Sequence, residues 1–126
     1  MQSYKELLVY RKSYDMVIRV YGLSKGYPRE ELYGLVSQMK RASVSIPLNI
    51  AEGYGKVETG KELLRFLSMA RGSSAEMEVL LSLSKDLGYI SECDYRPAIT
   101  AQEEVGKMLT GLIQKVQTSS TAPTNS

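Results

Sequence analysis

Histidine and tryptophan are absent from this chain of 126 residues, and cysteine and phenylalanine occur once each. Each absence removes a class of chemistry. Without histidine there is no Ser-His-Asp triad, no Cys-His nucleophile pair for the thiol of Cys93, and no Glu-x-x-His set of the kind that di-iron helical bundles project inward. The usual zinc sites lapse for the same reason, so no metal and no cofactor is expected. A single cysteine forbids an intrachain disulfide, and packing is the role expected of Cys93. No apolar run approaches the roughly 20 residues that span a bilayer. Charges also interrupt the opening "MQSYKELLVYRK" too soon for a signal peptide. A cytoplasmic protein with no membrane partner is expected.

Excess charge is scarce too: the formal net charge is +2, too small for a general polyanion binder. Its distribution is uneven. Residues 1 to 29 carry Lys5, Arg11, Lys12, Arg19, Lys25 and Arg29 against Glu6 and Asp15. Residues 40 to 71 carry Lys40, Arg41, Lys56, Lys61, Arg65 and Arg71 against Glu52, Glu58 and Glu62, and the remainder is acidic. Most such charges do no more than solvate a helix face, but two basic helices side by side would offer a positive surface to a phosphate backbone.

What is present is helical periodicity. The chain is 43% hydrophobic and 24% charged, outside the disordered regime, and its length suits one domain with a single core. Leu7, Tyr10, Tyr14, Val17, Ile18 and Tyr21 recur at three- and four-residue spacing and predict a helix from about Tyr4 to Ser24 with that side in the core. Gly26 and Pro28 end it. Pro28 followed by Arg29, Glu30 and Glu31 reads as the opening of a second helix, with Leu32, Leu35, Val36, Met39, Ala42, Ile46 and Ile50 facing inward.

Gly53, Gly55 and Gly60 mark the next connection, with Thr59 or Gly60 as cap. A third helix then packs Leu63, Phe66, Leu67, Ala70, Met77, Leu80, Leu81 and Leu83 and stops at Gly88. Ser91 with Asp94 opens the fourth, which has Tyr95, Ala98, Ile99, Val105, Met108, Leu109, Leu112, Ile113 and Val116 inward and Pro97 near its start. Short connections force antiparallel neighbours. The expected fold is an all-α, up-down-up-down four-helix bundle over residues 1–117, with residues 118–126 as a disordered polar tail.

Within the second helix, Gln38, Arg41, Ser45, Asn49 and Glu52 fall inside an arc of roughly 80° at 100° per residue, so they form one polar stripe. Pro47 sits beside it and deletes the hydrogen bond to the carbonyl of Ser43, which predicts a kink at a cost of about 3 kcal/mol. Arg65, Ser68, Gly72 and Glu76 align on the third helix, with Ser73 nearby. If the stripes meet, Arg41 or Arg65 is expected to pair with Glu76 or Glu52, and Asn49 to serve backbone groups freed at the kink. Fixing helix register or a subunit boundary is the first role expected of these groups, and a binding site the second. Glu52 and Glu76 make a possible carboxylate pair, but no nucleophile or metal partner accompanies them, so no enzyme is expected. Among the nine tyrosines, Tyr14 and Tyr21 read as core, which leaves Tyr4, Tyr27, Tyr33, Tyr54 and Tyr89 for base stacking.

The runs "LLVYRKSYDMVIRVYGLS", "YPREELYGLVSQMKRASVSIPLNIAEGYGK", "ELLRFLSMARGSSAEMEVLL" and "KDLGYI" closely resemble the four-helix bundle family of 23S rRNA intervening-sequence proteins. The resemblance spans about residues 7 to 116. It is most specific at Gln38, Arg41, Ala42, Ser45, Ile46, Asn49, Ile50, Ala51, Glu52 and Gly53, joined by Phe66, Leu67, Ala70, Ser73 and Glu76. Tyr10 stands where the family often has tryptophan and Lys40 where arginine is common, and the polar tail is peculiar to this chain. The resemblance implies an antiparallel bundle that assembles into a ring, with a homopentamer the expected arrangement, and it places Pro47 and the polar stripe within one shared pattern. Related bundles serve as accessory subunits of reverse transcriptases in diversity-generating retroelements. The family has no established catalytic residues.

The leading expectation is a non-catalytic ring that binds structured RNA through Arg11, Lys12, Arg19, Lys40, Lys56, Lys61, Arg65 and Arg71. The alternative is a protein-interaction scaffold, such as a reverse-transcriptase accessory subunit, whose helix faces dock a partner chain.

Overall fold

The computed structural model describes residues 3–56 and 58–121. Its elements are four long helices: α1 (Leu8–Ser24), α2 (Leu35–Gly55), α3 (Gly60–Asp86) and α4 (Glu92–Thr121), with 3-10 turns at Tyr4–Glu6 and Arg29–Glu31. No strand occurs among the described residues, so the all-α expectation holds.

Local chemistry sets most boundaries. The Thr59 hydroxyl accepts from the Glu62 backbone N–H (3.1 Å) at the start of α3, and Ser91 Oγ accepts from the Asp94 N–H (3.1 Å) at the start of α4. Gly88 ends the third helical segment at φ +80°, a conformation that costs a side-chain-bearing residue energy. The opening of α2 differs from expectation. Arg29–Glu31 form a separate 3-10 turn, and α2 begins only at Leu35, after Gly34 has left helical geometry. The Glu31 carboxylate then accepts from the Leu35 N–H at 3.0 Å, placing negative charge at the positive end of α2. Its other oxygen accepts from the Tyr89 hydroxyl (2.9 Å), which ties the α1–α2 connection to the α3–α4 connection.

Contacts at both ends of each helix pair fix direction. Tyr4 lies beside Gly55 while the Lys40 ammonium sits over the Tyr21 ring, so α1 and α2 run oppositely. Gly53 against Leu63 and Phe66, Ser45 against Ser73, and Met39 against Ser84 do the same for α2 and α3. Ser74 against Gln102 and Lys85 against Glu92 reverse α4 relative to α3, and the Lys12–Glu104 pair joins α4 to α1. Met16, Met39, Ile46, Ile50, Leu67, Met77, Leu81, Val105 and Leu109 fill the centre.

Helix α1 ends at Ser24 as expected but begins only at Leu8, after an extended Leu7, and it presents the other face. Its buried positions are Val9, Ser13, Met16 and Val20, whereas Tyr14, Ile18 and Tyr21 are 52%, 62% and 42% exposed. The segment carries two apolar stripes, and only one can face the three neighbouring helices. Leu32 and Leu83, also expected inside, are exposed, as is Cys93 on the first turn of α4. Helix α4 runs to Thr121, past the boundary expected at residue 117, and the final residues of the expected tail lie outside the described residues.

Candidate functional site

The polar stripe of α2 lies along the seam with α3. Helix α2 continues through Pro47, itself buried in the segment Leu35–Gly55. Ser73 on α3 donates its hydroxyl to Ser45 Oγ at 2.9 Å, and Asn49 Nδ2 donates to the same oxygen at 3.0 Å and to the Ser45 carbonyl at 2.8 Å. Asn49 therefore serves Ser45, and not the Ser43 carbonyl that Pro47 leaves without its helical donor. Where α2 nears its end, an added Cβ on Gly53 would stand 2.9 Å from Leu63 Cδ1 and 3.1 Å from Phe66 Cβ, so a side chain there would force its neighbours on α3 to shift.

The expected ion pairs across the seam do not form. Arg41 Nη1 donates to Ser37 Oγ one turn earlier (2.9 Å), Glu52 pairs with Lys56 (3.0 Å), and Arg65 lies over the Phe66 ring at 4.5 Å. Arg41 and Glu76 have no ion pair among the described residues. With Gln38, Ala42, Ser45, Ser73 and Leu80 they line a polar cavity of about 280 Å³. A larger cavity of about 620 Å³ shares Arg41 and Ser45 and continues over Tyr21, Lys40, Val44, Leu48, Asn49, Glu52, Phe66 and Met69. Beyond Val44 and Leu48 comes an aromatic groove of about 310 Å³ built on Tyr4, Tyr10, Tyr14, Val17, Ile18, Pro47 and Ala51. These spaces adjoin across α1, α2 and α3: the polar cavity lies at one end, and the remainder is mainly apolar and open, with Leu48 and Met69 on it 59% and 46% exposed.

The eight candidate cations do not form one patch. Lys12 is neutralised by Glu104 (3.0 Å) and Lys56 by Glu52, while Lys40 is 4.6 Å from the centre of the Tyr21 ring. Arg11, Arg19, Lys61 and Arg71 are exposed and without an ion pair among the described residues. Arg19 lines the α1–α4 groove opposite Arg96, and Arg71 lines the α3–α4 groove opposite Lys107. Arg96 and Lys107 carry no sequence signal that would pair them with these partners, because only the fold brings α4 beside α1 and α3. Gln102 was missed by the sequence reading, although it stands at core spacing with Ala98, Val105 and Leu109; it is 3% exposed. Its amide donates to the Ser74 carbonyl (2.7 Å) and hydroxyl (3.1 Å), while its Oε1 is buried without a partner.

The tyrosines redistribute accordingly. Tyr27 is buried, Tyr54 and Tyr89 are half-buried, and Tyr33 is 92% exposed, so the stacking surfaces available are Tyr33, Tyr14 and Tyr21 in place of Tyr27. Burial raises the pKa of the Tyr27 and Tyr54 phenols. Tyr89 is raised mainly by its hydrogen bond to Glu31, which only the protonated phenol can donate. Glu92 is lowered, first by its hydrogen bond from Arg96. Among the described residues no group of three or more His, Cys, Asp or Glu side chains is placed to hold a metal. No described helix is long and apolar enough to cross a membrane.

The family model described as 23S rRNA-intervening sequence protein matches residues 5–111. The chain belongs to that family. It is also similar to a crystal structure of a protein with unknown function from the S23 ribosomal protein family of Bacteroides thetaiotaomicron. That likeness has a TM-score of 0.78 and 25% identity, and it covers 85% of this chain and 96% of the other. A search of curated proteins gives no match. The 23S rRNA-intervening sequence family match includes the whole α2–α3 seam and every one of the eight candidate cations.

Proposed function

We propose that this member of the 23S rRNA-intervening sequence family is a non-catalytic cytoplasmic protein that assembles into a homopentameric ring and binds structured RNA through its basic surface. The observation that supports RNA binding best is that four of the eight candidate cations, Arg11, Arg19, Lys61 and Arg71, are exposed with neither an ion pair nor a ring beneath them among the described residues. A guanidinium or ammonium without a carboxylate partner can replace a phosphate counterion, whereas Lys12 and Lys56 must first give up Glu104 and Glu52. The open face of Tyr14, Ile18, Leu48 and Met69 supports assembly, since patches of this kind mark interaction sites. Ring formation multiplies a modest charge per subunit into a high effective concentration of phosphate contacts.

A second reading has its own support. Val79, Leu83 and Leu87 form an exposed apolar ridge at four-residue spacing on and just beyond α3, separate from the first face. Such a ridge suits docking of a partner chain, for example a reverse transcriptase to which the ring is an accessory subunit.

The test is fluorescence anisotropy of the purified protein on a labelled structured RNA across a salt series, with native mass recorded in the same buffers. A ring whose affinity falls steeply on a log-log salt plot is the expected result. A ring that ignores RNA even at low salt would overturn RNA binding and favour the docking reading.

A further inference from the structure

We infer that the cavity between α2 and α3 lined by Arg41, Ser45 and Glu76 receives an unpaired guanine base of a bound RNA, an inference that rests on the RNA-binding reading above. Three features lead there. The cavity is polar and about 280 Å³ in volume, ample for one flat heteroaromatic ring. It presents opposite charges that do not satisfy each other, because Arg41 is turned to Ser37 and Glu76 makes no ion pair among the described residues. Its floor is fixed in advance. Ser45 Oγ already accepts from Ser73 and Asn49, so its own proton remains for an incoming acceptor.

The ligand must therefore present acceptors and donors side by side. A phosphate has only acceptors and would be repelled by Glu76, and a lysine or arginine from a partner protein would be repelled by Arg41. Guanine offers O6 and N7 as acceptors to Arg41 and Ser45, and N1–H and N2–H as adjacent parallel donors to the Glu76 carboxylate. Adenine and uracil each fall one donor short at that edge. Beside the cavity, the Lys40 ammonium lies 4.6 Å from the centre of the Tyr21 ring and the Arg65 guanidinium 4.5 Å from that of the Phe66 ring, two cations that a flanking phosphate would meet. Single-stranded loops are where RNA bases are free to enter such a pocket.

Anisotropy with fluorescein-labelled RNA hairpins tests this directly, the hairpins differing only at one loop base: guanine, inosine (which lacks N2–H) or adenine. The wild-type protein should prefer the guanine loop by about tenfold over inosine, the scale of one good bidentate base contact. Glu76→Gln should abolish that preference while leaving the salt-dependent affinity common to all three hairpins, and Arg41→Ala should weaken guanine binding most. Both residues are exposed, so circular dichroism should show both variants folded. Equal binding of the three hairpins, or a guanine preference that survives Glu76→Gln, would overturn the guanine site and leave RNA binding standing. No binding of any hairpin would overturn both.

Discussion

The Ser73 hydroxyl donates across the α2–α3 seam to the Ser45 hydroxyl at 2.9 Å, and Asn49 reaches the same oxygen from one turn along α2. Three small polar side chains thus fix the register of two helices beside the buried Pro47. Asn49→Leu removes two donated hydrogen bonds from a half-buried position and should lower unfolding stability by about 1–2 kcal/mol. Urea denaturation checks this. An unchanged midpoint, together with unchanged native mass, would mean that the seam's polar contacts hold nothing in place.

Two helical glycines, Gly53 on α2 and Gly111 on α4, should respond with opposite signs. Gly53→Ala forces a Cβ to within 3.1 Å of Phe66 Cβ, which the α3 backbone holds, so a net loss of about 1–2 kcal/mol is expected despite alanine's better helix propensity. Gly111→Ala meets nothing within 4 Å and should gain about 0.5–1 kcal/mol. Thermal melts of the two variants measured side by side decide both expectations.

If the open face joins copies of the chain, Ile18→Asp or Leu48→Asp should reduce the native mass to that of a monomer while the helical circular dichroism spectrum is kept. Both side chains are more than half exposed, so charge there has little to disturb within one chain. A full-sized assembly from either variant would remove this face from the interface.

Charge reversal separates free from neutralised cations. Arg11→Glu and Lys61→Glu should each weaken RNA binding and flatten its salt dependence. Lys12→Glu should cost less RNA affinity, since that ammonium is already paired with Glu104 at 3.0 Å. Anisotropy titrations at several salt concentrations give affinity and slope together, and equal effects at all three positions would count against a role for ion pairing.

Alkaline pH should unfold the protein through its buried phenols. Burial holds the Tyr27 and Tyr54 pKa values above the ordinary 10.0, so the folded state keeps those protons more tightly than the unfolded chain. Their contribution is therefore complete below pH 10.0 and is lost as pH rises through the raised values. A neighbouring Ser84 hydroxyl acts weakly against this at Tyr27. Its proton is already donated to the Leu80 carbonyl (2.7 Å), and the buried Tyr27 hydroxyl has no partner of good hydrogen-bond geometry among the described residues. Tyr27→Phe should consequently be neutral or stabilising by up to about 1 kcal/mol at neutral pH and should reduce the alkaline loss. Melting temperatures from neutral to strongly alkaline buffer test both halves.

Where structure follows from near neighbours, the sequence was sufficient. Thr59, Gly88 and Ser91 end or begin helical segments through bonds to residues within a few positions, and the inward faces of α2, α3 and α4 largely match their spacing. The polar stripe was visible for the same reason, because residues at helical spacing share a side wherever the helix lies. The start of α2 was misplaced because Gly34 interrupts a segment whose composition still favours helix.

By itself the sequence determined four amphipathic helices, their order, and the exclusion of histidine-dependent chemistry, since composition and period act locally and need no partner. Only the tertiary structure decided which of the two apolar stripes of α1 is buried. Val9, Met16 and Val20 turn inward and Tyr14 and Ile18 outward because three other helices fix where the core lies. The same packing placed Arg96 opposite Arg19 and Lys107 opposite Arg71, and it kept Arg41 and Glu76 unpaired beside one cavity. Period assigns a residue to a side of its helix, but which side meets which neighbour is fixed by packing the whole chain.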